Sequence, residues 1–290
     1  MHRVIQITDT HFALEGNRSH YGFGYDTDLA WERVHELAFG ADCLADAVVV
    51  TGDLVDHGLA EEYAHAVSQL SRITLPTNVV PGNHDFDGPF RSAVEGTPMM
   101  LERSKRVGPW EFVFVDSNGE HGDTERRLGG NGFLSATEFE GVAGLIDTTE
   151  AEFVWLWMHH PPAMHGTWAH EPTYDAQITE LIEHRPKVRG IGAGHVHMNV
   201  EREIAQRPVY TTPAFTINFD FDSGTTTPPA WREWSFADDG TVDSVCKFVG
   251  DDEAWPRFEL PQPIMDYQRG LLSWEELQRY VSELMDFIES

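Results

Sequence analysis

The sequence lacks several features that would assign it to common classes of protein. No stretch approaches the roughly 18 consecutive apolar residues of a membrane-spanning helix, and residues 1–5 lead directly into an apolar run without a secretory signal. The two cysteines, Cys43 and Cys246, are far apart and outside any C-x-x-C pattern. We therefore expect no disulfide framework, zinc ribbon or thiol redox motif. Residence in the cytoplasm is the simplest expectation.

Basic residues are also scarce in this 290-residue chain. It has 20 Lys and Arg against 48 Asp and Glu, which gives a formal net charge of −28. A field of this sign repels DNA and anionic membranes, so we expect neither a nucleic-acid polymer nor a membrane as a partner. The same field repels a phosphate substrate unless a local positive charge, such as a bound divalent metal, reverses it.

Short apolar runs alternate with amphipathic stretches over the first 200 residues. Buried strands are predicted at 4–7, 47–50, 77–80, 112–115, 153–158 and 188–191. Helices are predicted at 28–40, 59–71, 135–146 and 173–184. This alternation predicts an α/β layered fold.

The pattern changes after residue 200. Consecutive strands are predicted at 208–210, 214–221, 231–236 and 242–249. Residues 250–272 are rich in proline and charge, which predicts a linker. A capping box at Ser273–Glu276 then opens a predicted helix over residues 273–288. Its apolar stripe consists of Trp274, Leu277, Val281, Leu284 and Ile288.

Side chains that can bind metals follow the predicted strands, at the point where each strand ends. They are Asp9, His11, Asp53, Asn83, His84, His159, His195 and His197. In open α/β sheets this edge is where ligands bind. In Asp9-x-His11 and His195-x-His197, alternate residues project to the same side of the chain, so both can reach one ion pair. Imidazole and carboxylate together suit iron, manganese, zinc or cobalt better than calcium.

Each motif alone has a simpler interpretation. A lone D-x-H is more often a turn with a surface histidine, and G-D-x-x-D can be a loop with an Asx turn. An H-x-H pair can arise by chance in a chain with 15 histidines. Five such motifs in order, each at the end of a predicted strand, together indicate a metal centre.

The set of motifs resembles the five sequence blocks of the calcineurin-like metallophosphoesterases, over residue 4 to about residue 200. The matching segments are Asp9-x-His11, Gly52-Asp53-x-x-Asp56, Gly82-Asn83-His84-Asp85, His159-His160-Pro161 and Gly194-His195-Val196-His197. The tail is similar to that of class III cyclic-nucleotide phosphodiesterases and their glycerophosphodiesterase relatives. It departs from them at Ala214-Phe215, where they often have Ser-Thr, and at Ala230-Trp231-Arg232, where they usually have Gly-Tyr-Arg.

The resemblance implies a four-layer αββα sandwich of two mixed β-sheets flanked by helices. Residues 1–250 would form the catalytic domain, and residues 251–290 a linker and a C-terminal amphipathic helix. Two divalent or mixed-valence ions (manganese, iron, zinc or cobalt) are implied as cofactors. By the same resemblance, Asp9, His11 and His197 bind the first ion. Asn83, His159 and His195 bind the second, and Asp53 bridges them.

The resemblance also assigns residues to catalysis. His84 would hydrogen-bond a phosphate oxygen or the leaving group, and Asp85 would orient His84. Asn83 and His84 are the predicted substrate-binding residues. The roles of Asp56, His121, His160, His165 and His170 stay open at this point. Trp168 and Phe219 are candidates for stacking on a base, with core packing as the alternative.

These features favour a phosphodiesterase that hydrolyses a small phosphodiester by attack of metal-activated hydroxide. A 3′,5′-cyclic nucleotide (cAMP) is the leading substrate. One alternative is a glycerophosphodiesterase or a phosphodiesterase of broad specificity. Another is a non-catalytic binding protein on the same fold, which the complete set of expected ligands disfavours. The stripe of the C-terminal helix must be buried somewhere, either in its own domain or in a homodimer.

Overall fold

The computed structural model describes residues 1–14, 26–119, 131–165, 169, 171–250, 255, 257–273, 276, 277, 279 and 280. Within them, the helices with defined bounds are α1 (Thr27–Phe39), α2 (Ala60–Leu70), α3 (Asp87–Val94), α4 (Ala136–Thr148), α5 (Pro172–Ile182) and α6 (Gln262–Gln268). None of the described helices is long and apolar enough to cross a membrane.

The described strands are β1 (His2–Ile7), β2 (Ala47–Thr51), β3 (Thr77–Val80), β4 (Met99–Met100), β5 (Ser104–Val107), β6 (Trp110–Phe114), β7 (Phe153–Trp157), β8 (Val188–Ala193), β9 (Glu201–Ile204), β10 (Arg207–Thr211), β11 (Asn218–Asp220), β12 (Thr225–Thr227), β13 (Ala230–Phe236) and β14 (Val242–Phe248). β11 and β12 form a separate two-stranded hairpin.

The remaining strands form two mixed sheets. The first has the order β14-β13-β1-β2-β3-β4. Its strands β1 to β4 are parallel, β13 pairs antiparallel with β1, and β14 pairs antiparallel with β13. The second has the order β5-β6-β7-β8-β10-β9, with four parallel central strands and an antiparallel strand at each edge. Each sheet therefore has a block of parallel strands whose carboxyl ends share one edge.

Alternating side chains of each strand build separate cores on the two faces of its sheet. In β1, Val4 packs into an aromatic-rich core between the sheets, whereas Ile5 faces a core with helices α1 to α3. In β7, Trp155 joins the core between the sheets and Leu156 packs under α4 and α5. The predicted four-layer αββα sandwich is confirmed.

Local sequence signals determine where several helices begin. The Asp26 side chain accepts a hydrogen bond from Leu29 N at 2.9 Å, and Ser135 Oγ accepts one from Glu138 N at 3.1 Å. The capping box predicted at Ser135 forms only in part. The Glu138 carboxylate does not reach back to Ser135 but accepts from Asp116 N and pairs with Arg103.

The sequence pattern missed some elements. The strand predicted at 214–221 is limited to β11, because the chain bends at residues 215 and 216. Helix α3 was not predicted, since Gly88 and Pro89 in its first turn resemble a loop. Strands β4, β5, β9 and β12 were not predicted either.

The segment predicted as a linker packs against the hairpin β11–β12. It contains α6, and Leu260 and Met265 share a hydrophobic cluster with Ile217 and Phe219. Backbone hydrogen bonds reinforce this contact, with Thr226 N donating to Phe258 O and Leu260 N to Gly224 O, each at 2.9 Å. The division of the chain at residue 250 stays a prediction, but the described residues just beyond it are not an isolated connector.

The capping box predicted at Ser273 is present. The Glu276 carboxylate accepts from Ser273 N at 2.7 Å, and Glu276 N donates back to Ser273 Oγ at 3.3 Å. Leu277 is buried. Most of the helix predicted at 273–288 lies outside the described residues, so its extent and the homodimer stay predictions.

Candidate metal centre

All seven predicted metal ligands meet where the carboxyl ends of the two parallel blocks come together. Asp9 and His11 follow β1, Asp53 follows β2, and Asn83 follows β3 of the first sheet. His159 follows β7, and His195 and His197 follow β8 of the second sheet. All except Asn83 are buried. The two sheets therefore contribute to one centre, although the role of these residues as ligands stays a prediction.

Most of these residues have a backbone in the left-handed conformation. Among the described residues other than glycine, eight have a positive φ, and five of them are Asp9, His11, Asp53, His195 and His197. This conformation is unfavourable for residues with a side chain and is typical of functional sites that the surrounding fold enforces. The clustering of strain at the predicted ligands indicates that their directions are fixed by the fold.

The first group consists of Asp9, His11 and His197. His197 Nε2 lies 3.2 Å from Asp9 Oδ1 and 3.3 Å from His11 Nε2. The other oxygen of Asp9 accepts from Thr8 Oγ1 at 2.6 Å and from His195 N at 2.9 Å. Asp9 Oδ1 is buried and accepts no hydrogen bond from the described residues. One carboxylate oxygen is thus used structurally, and the other faces two imidazoles.

The second group consists of Asn83, His159 and His195. His159 Nε2 lies 3.0 Å from Asn83 Oδ1 and 3.2 Å from His195 Nδ1. Asp53 Oδ2 lies between the two groups, 3.3 Å from His159 Nε2 and 3.7 Å from His11 Nε2. The other Asp53 oxygen accepts from His84 N at 2.8 Å. A single oxygen of Asp53 therefore faces both groups, as a bridging ligand requires.

The position of the proton on each imidazole shows whether its other nitrogen can bind a cation at the centre. His197 Nδ1 lies 2.7 Å from Ile217 O, and His159 Nδ1 lies 2.7 Å from Thr51 O. A carbonyl can only accept, so both Nδ1 atoms donate, and each neutral ring presents the lone pair of Nε2 to the centre. Lone pairs of imidazole nitrogen, of carboxylate oxygen and of the Asn83 amide oxygen converge there at 3.0–3.7 Å. These lone pairs repel one another unless protons or cations lie between the atoms. The residues present therefore fit a metal centre.

The electrostatics of the centre agree with this interpretation. Burial lowers the pKa of His159, but the charge of Asp53 and its hydrogen bond, together with Asp9, outweigh burial and raise it to about 9. The pKa of Asp9 is lowered despite burial, because His197, His159 and His11 stabilise its charge. The carboxylates thus draw positive charge into a buried site, which is the condition under which metals replace protons.

His84 lies beside the first group. Its Nδ1 donates to Asp56 O at 2.8 Å, and its ring lies edge-on to His11 at 4.6 Å between centroids. A metal-ligating atom of His84 lies within 4.8 Å of those of His11 and Asp53. Because the remaining ring nitrogen is Nε2, His84 can exchange a proton with a group held at the centre.

Asp85, which the sequence predicts to orient His84, makes its described hydrogen bonds with other groups, and its role stays a prediction. Both of its oxygens lie 3.2 Å from Leu54 N, and they also accept from Gly82 N at 2.9 Å and from Tyr63 OH at 3.3 Å. Asp85 therefore ties together the two loops that carry Asp53 and Asn83. The two loops approach so closely that residue 82 must be glycine, since a Cβ on Gly82 would lie 2.2 Å from Asp53 Oδ1.

Asp56 lies where it can orient both His11 and His84. Its Oδ1 lies 3.2 Å from His11 Nδ1 and 3.7 Å from His84 Nδ1, and its backbone oxygen accepts from His84. With Nδ1 facing Asp56, His11 presents Nε2 to the predicted metal. The motif identified Asp56 as a candidate but could not indicate this direction. Asp56 thus positions two site histidines at once.

The other histidines left open by the sequence have separate positions. His160 is buried, with its ring 4.4 Å from that of His195 between centroids, and its Nδ1 lies 2.9 Å from Ser117 Oγ. Ser117 follows β6 at the same edge and was not predicted as a site residue. His165 lies on the surface near Asp175. His121, His170 and Trp168 lie outside the described residues.

A cavity of about 310 Å³ adjoins the metal centre and is lined in part by His197. Phe219 forms one wall and lies parallel to the His197 ring, with centroids 5.5 Å apart and 10° between planes. Phe219, one of the two aromatic residues that the sequence offers as candidates for stacking on a base, therefore contacts the predicted ligand His197 directly.

Known proteins resemble this chain in sequence over most of its length. Residues 2–199 match the family described as calcineurin-like phosphoesterase. The chain is 25% identical over 272 residues to the 3′,5′-cyclic adenosine monophosphate phosphodiesterase CpdA of Escherichia coli (strain K12), covering 88% of this chain and 92% of that protein. It is 27% identical over 223 residues to the glycerophosphodiester phosphodiesterase GpdQ of Enterobacter lignolyticus, covering 73% and 76%.

Among solved structures, the chain resembles a protein of Thermus thermophilus. The TM-score is 0.55 at 15% identity, covering 86% of this chain and 99% of that one. This likeness concerns the fold alone. The sequence match to the family extends over more than half of the chain and includes every motif that supplies the centre. The chain therefore belongs to the calcineurin-like phosphoesterase family.

Proposed function

We propose that this chain is a binuclear-metal phosphodiesterase that hydrolyses a small phosphodiester, with a 3′,5′-cyclic nucleotide such as cAMP as the leading substrate. The observation that carries the proposal is the position of Asp53 Oδ2 between two groups of lone-pair donors. One group is Asp9 and the imidazoles of His11 and His197, and the other is Asn83, His159 and His195.

Each part of the centre has a chemical task. Two divalent cations, when bound, would neutralise the phosphate charge and lower the pKa of a water molecule to provide the nucleophile. Asp56 and the carbonyls of Ile217 and Thr51 keep the ligating imidazole nitrogens aimed inward. His84, with Nδ1 donating to Asp56 O, presents Nε2 to the centre, and in its imidazolium form it would donate the Nε2 proton to a phosphate oxygen or to the departing alkoxide.

The similarity to CpdA supports cAMP as the substrate, since it extends over 88% of this chain. The similarity to GpdQ favours a second candidate, a glycerophosphodiester phosphodiesterase, with a shorter aligned length. Both candidates use the same centre and differ in the group attached to the phosphate.

The test is a metal-reconstituted assay with manganese, iron, zinc and cobalt. We expect turnover of bis(p-nitrophenyl) phosphate to exceed turnover of p-nitrophenyl phosphate, together with about two metal ions per chain by elemental analysis. A panel of cAMP and glycerophosphodiesters then decides between the two candidates. Metal-loaded protein that hydrolyses none of these compounds would instead support a binding protein that lacks catalysis.

A further inference from the structure

Arg232 is a buried arginine on β13 that lies outside the set of predicted ligands. It is 2% exposed. Its hydrogen bonds with described residues all go to uncharged oxygen atoms, which are Thr212 Oγ1, Ser244 Oγ, Asn199 Oδ1 and Thr211 O. A buried charge that faces neutral partners is costly, and an apolar side chain of similar volume would serve the core about as well. The positions of the partners therefore indicate a task other than core packing.

Two of these partners lie beside the predicted ligand His197. Asn199 follows His197 by two residues in the loop after β8, and Arg232 Nη2 donates to Asn199 Oδ1. The same nitrogen donates to the backbone oxygen of Thr211, at the end of β10, at 3.0 Å. Thr211 Oγ1 donates in turn to Met198 O at 2.6 Å. Arg232 and Thr211 thus hold the loop after β8 against the end of β10.

The segment after β10 fixes the ring of His197. His197 Nδ1 donates to Ile217 O at 2.7 Å, and Phe219 N donates to His197 O at 3.0 Å. The backbone of His197 has a φ of 53°, a strained conformation that persists only where the surrounding structure holds it. Arg232 therefore contacts both the loop that carries His197 and the start of the segment that binds its Nδ1.

A second series of hydrogen bonds runs from Arg232 to the ends of β2 and β8. A guanidinium can only donate, so Thr212 Oγ1 accepts from Arg232 Nε at 3.3 Å and donates to Gln6 Oε1 at 2.7 Å. The Nε2 of the fully buried Gln6 then donates to Thr51 Oγ1 at 2.8 Å and to Ala193 O at 3.0 Å. These two residues end β2 and β8, directly before the loops that carry predicted ligands.

We propose that Arg232 is a positioning residue, which holds the loop after β8 and the segment after β10 in place so that His197 Nε2 points into the metal centre. The inference rests on the proposed function only for the ion that His197 would bind, since the hydrogen bonds themselves need no metal. Without them the strained backbone of His197 can relax. The ion held by Asp9, His11 and His197 should then be weakened more than the other.

The test measures manganese affinity in Arg232→Met by competition with a chelator. We expect the dissociation constant of one of the two ions to rise about 10–100-fold, the range for loss of a group that orients a metal ligand. The affected ion should be the one that His197→Ala also loses. Arg189→Met is the matched control, at an exposed arginine of β8 that lies over Phe153, and should leave both constants unchanged. Unchanged constants in Arg232→Met, or an equal rise for both ions, would overturn the proposal.

Arg232→Lys separates the hydrogen bonds from the charge. Lysine keeps a positive charge beside the rings of Tyr210 and Trp234, whose centroids lie 5.5 and 5.3 Å from the guanidinium carbon. It cannot form the planar set of bonds that reaches the loop after β8 and the end of β10 together. We expect the affinity of the same ion to fall in this variant too. Full affinity in Arg232→Lys would mean that the charge alone is needed, which contradicts the proposed role.

Amide hydrogen exchange of the metal-free protein provides a readout that needs no ion. In Arg232→Met, exchange should be on the order of tenfold faster at Val200 N and Phe219 N. These amides donate to Thr211 Oγ1 at 2.9 Å and to His197 O at 3.0 Å. Amides of β2 and β3 should be unaffected, and a uniform acceleration would contradict a positioning role. The diester assay of the unaltered protein tests the proposed function separately.

Asn199→Ala removes an exposed partner of Arg232 and provides the same two measurements if Arg232→Met does not fold. We expect the same ion to be weakened and exchange at Val200 N to be faster, each by a smaller factor than the one expected for Arg232→Met. Unchanged affinity and exchange in both Asn199→Ala and Arg232→Lys would overturn the proposal.

Discussion

At the residue scale, the direction of each oxygen and nitrogen determines what a site residue does. Asp53 uses one oxygen to accept from His84 N and the other to face both groups of predicted ligands. Asp9 divides its oxygens in the same way. In each of these carboxylates one oxygen accepts hydrogen bonds from the surrounding protein and the other faces the predicted ligands, so removing either residue affects more than one contact.

Asp53→Ala should remove a ligand from both ions at once. We expect metal content to fall well below that of the unaltered protein and diester hydrolysis to become undetectable. Elemental analysis and the bis(p-nitrophenyl) phosphate assay measure the two effects. Asp42→Ala, at an exposed aspartate, is the matched control and should change neither. Full metal content in Asp53→Ala would show that Asp53 is not a bridging ligand.

His84→Ala should separate catalysis from metal binding. Because His84 exchanges a proton and does not bind an ion in our assignment, we expect metal content to be retained and kcat to fall on the order of 10²-fold. The same two measurements apply. An emptied metal centre in this variant would mean that His84 is itself a ligand.

Asp56 and Asp85 can be distinguished by their contacts. Asp56→Asn weakens the fixed orientation of His11, so metal affinity should fall about 10–100-fold, as measured by competition with a chelator.

Asp85→Ala leaves buried N–H groups of Leu54 and Gly82 without an acceptor, so the free energy of unfolding should fall by about 1–3 kcal/mol. A lower kcat without a lower stability in Asp85→Ala would instead support the orienting role predicted from the sequence.

Asp56 and Asp85 also show which properties of the site can be predicted from the sequence. The sequence indicated that acidic and imidazole side chains gather after the strand ends, and the structure brings all seven of the predicted ligands together. It could not show that Asp56 faces His11 while Asp85 faces Leu54 N, because loop geometry sets both directions.

At the element scale, the hairpin β11–β12 depends on the chain that follows it. Periodicity identified the long strands and helices of the sandwich, because their faces alternate regularly between cores. It failed for α6, whose seven residues include Pro263 and follow Pro261. Such a short helix is stabilised by its contact with Ile217 and Phe219 rather than by its own sequence.

Truncation after Pro261 tests this dependence. Loss of Met265 uncovers the back of Phe219, so we expect a lower melting temperature and a higher KM for a cyclic nucleotide, with a smaller effect on kcat. Truncation after Gly270 keeps α6 and is the matched control. Equal melting temperatures and KM values for the two truncated chains would show that α6 does not support the cavity wall.

At the scale of the whole molecule, the net charge of −28 opposes the approach of an anionic phosphodiester. Salt screens this repulsion, so kcat/KM for the diester should rise about two- to tenfold between low and physiological ionic strength. A kcat/KM that falls with salt would instead indicate a local positive field at the site entrance.

The order of the strands has a consequence for synthesis of the chain. Asp9 follows the first strand, whereas its partner His197 follows β8, and the strand that closes β1 on its other side, β13, is made later still. A growing polypeptide thus holds an incomplete set of the predicted ligands until two thirds of it has left the ribosome. Prematurely terminated molecules should then retain less metal than finished ones. The amount of metal that a preparation keeps in the presence of a chelator therefore measures its correctly folded fraction.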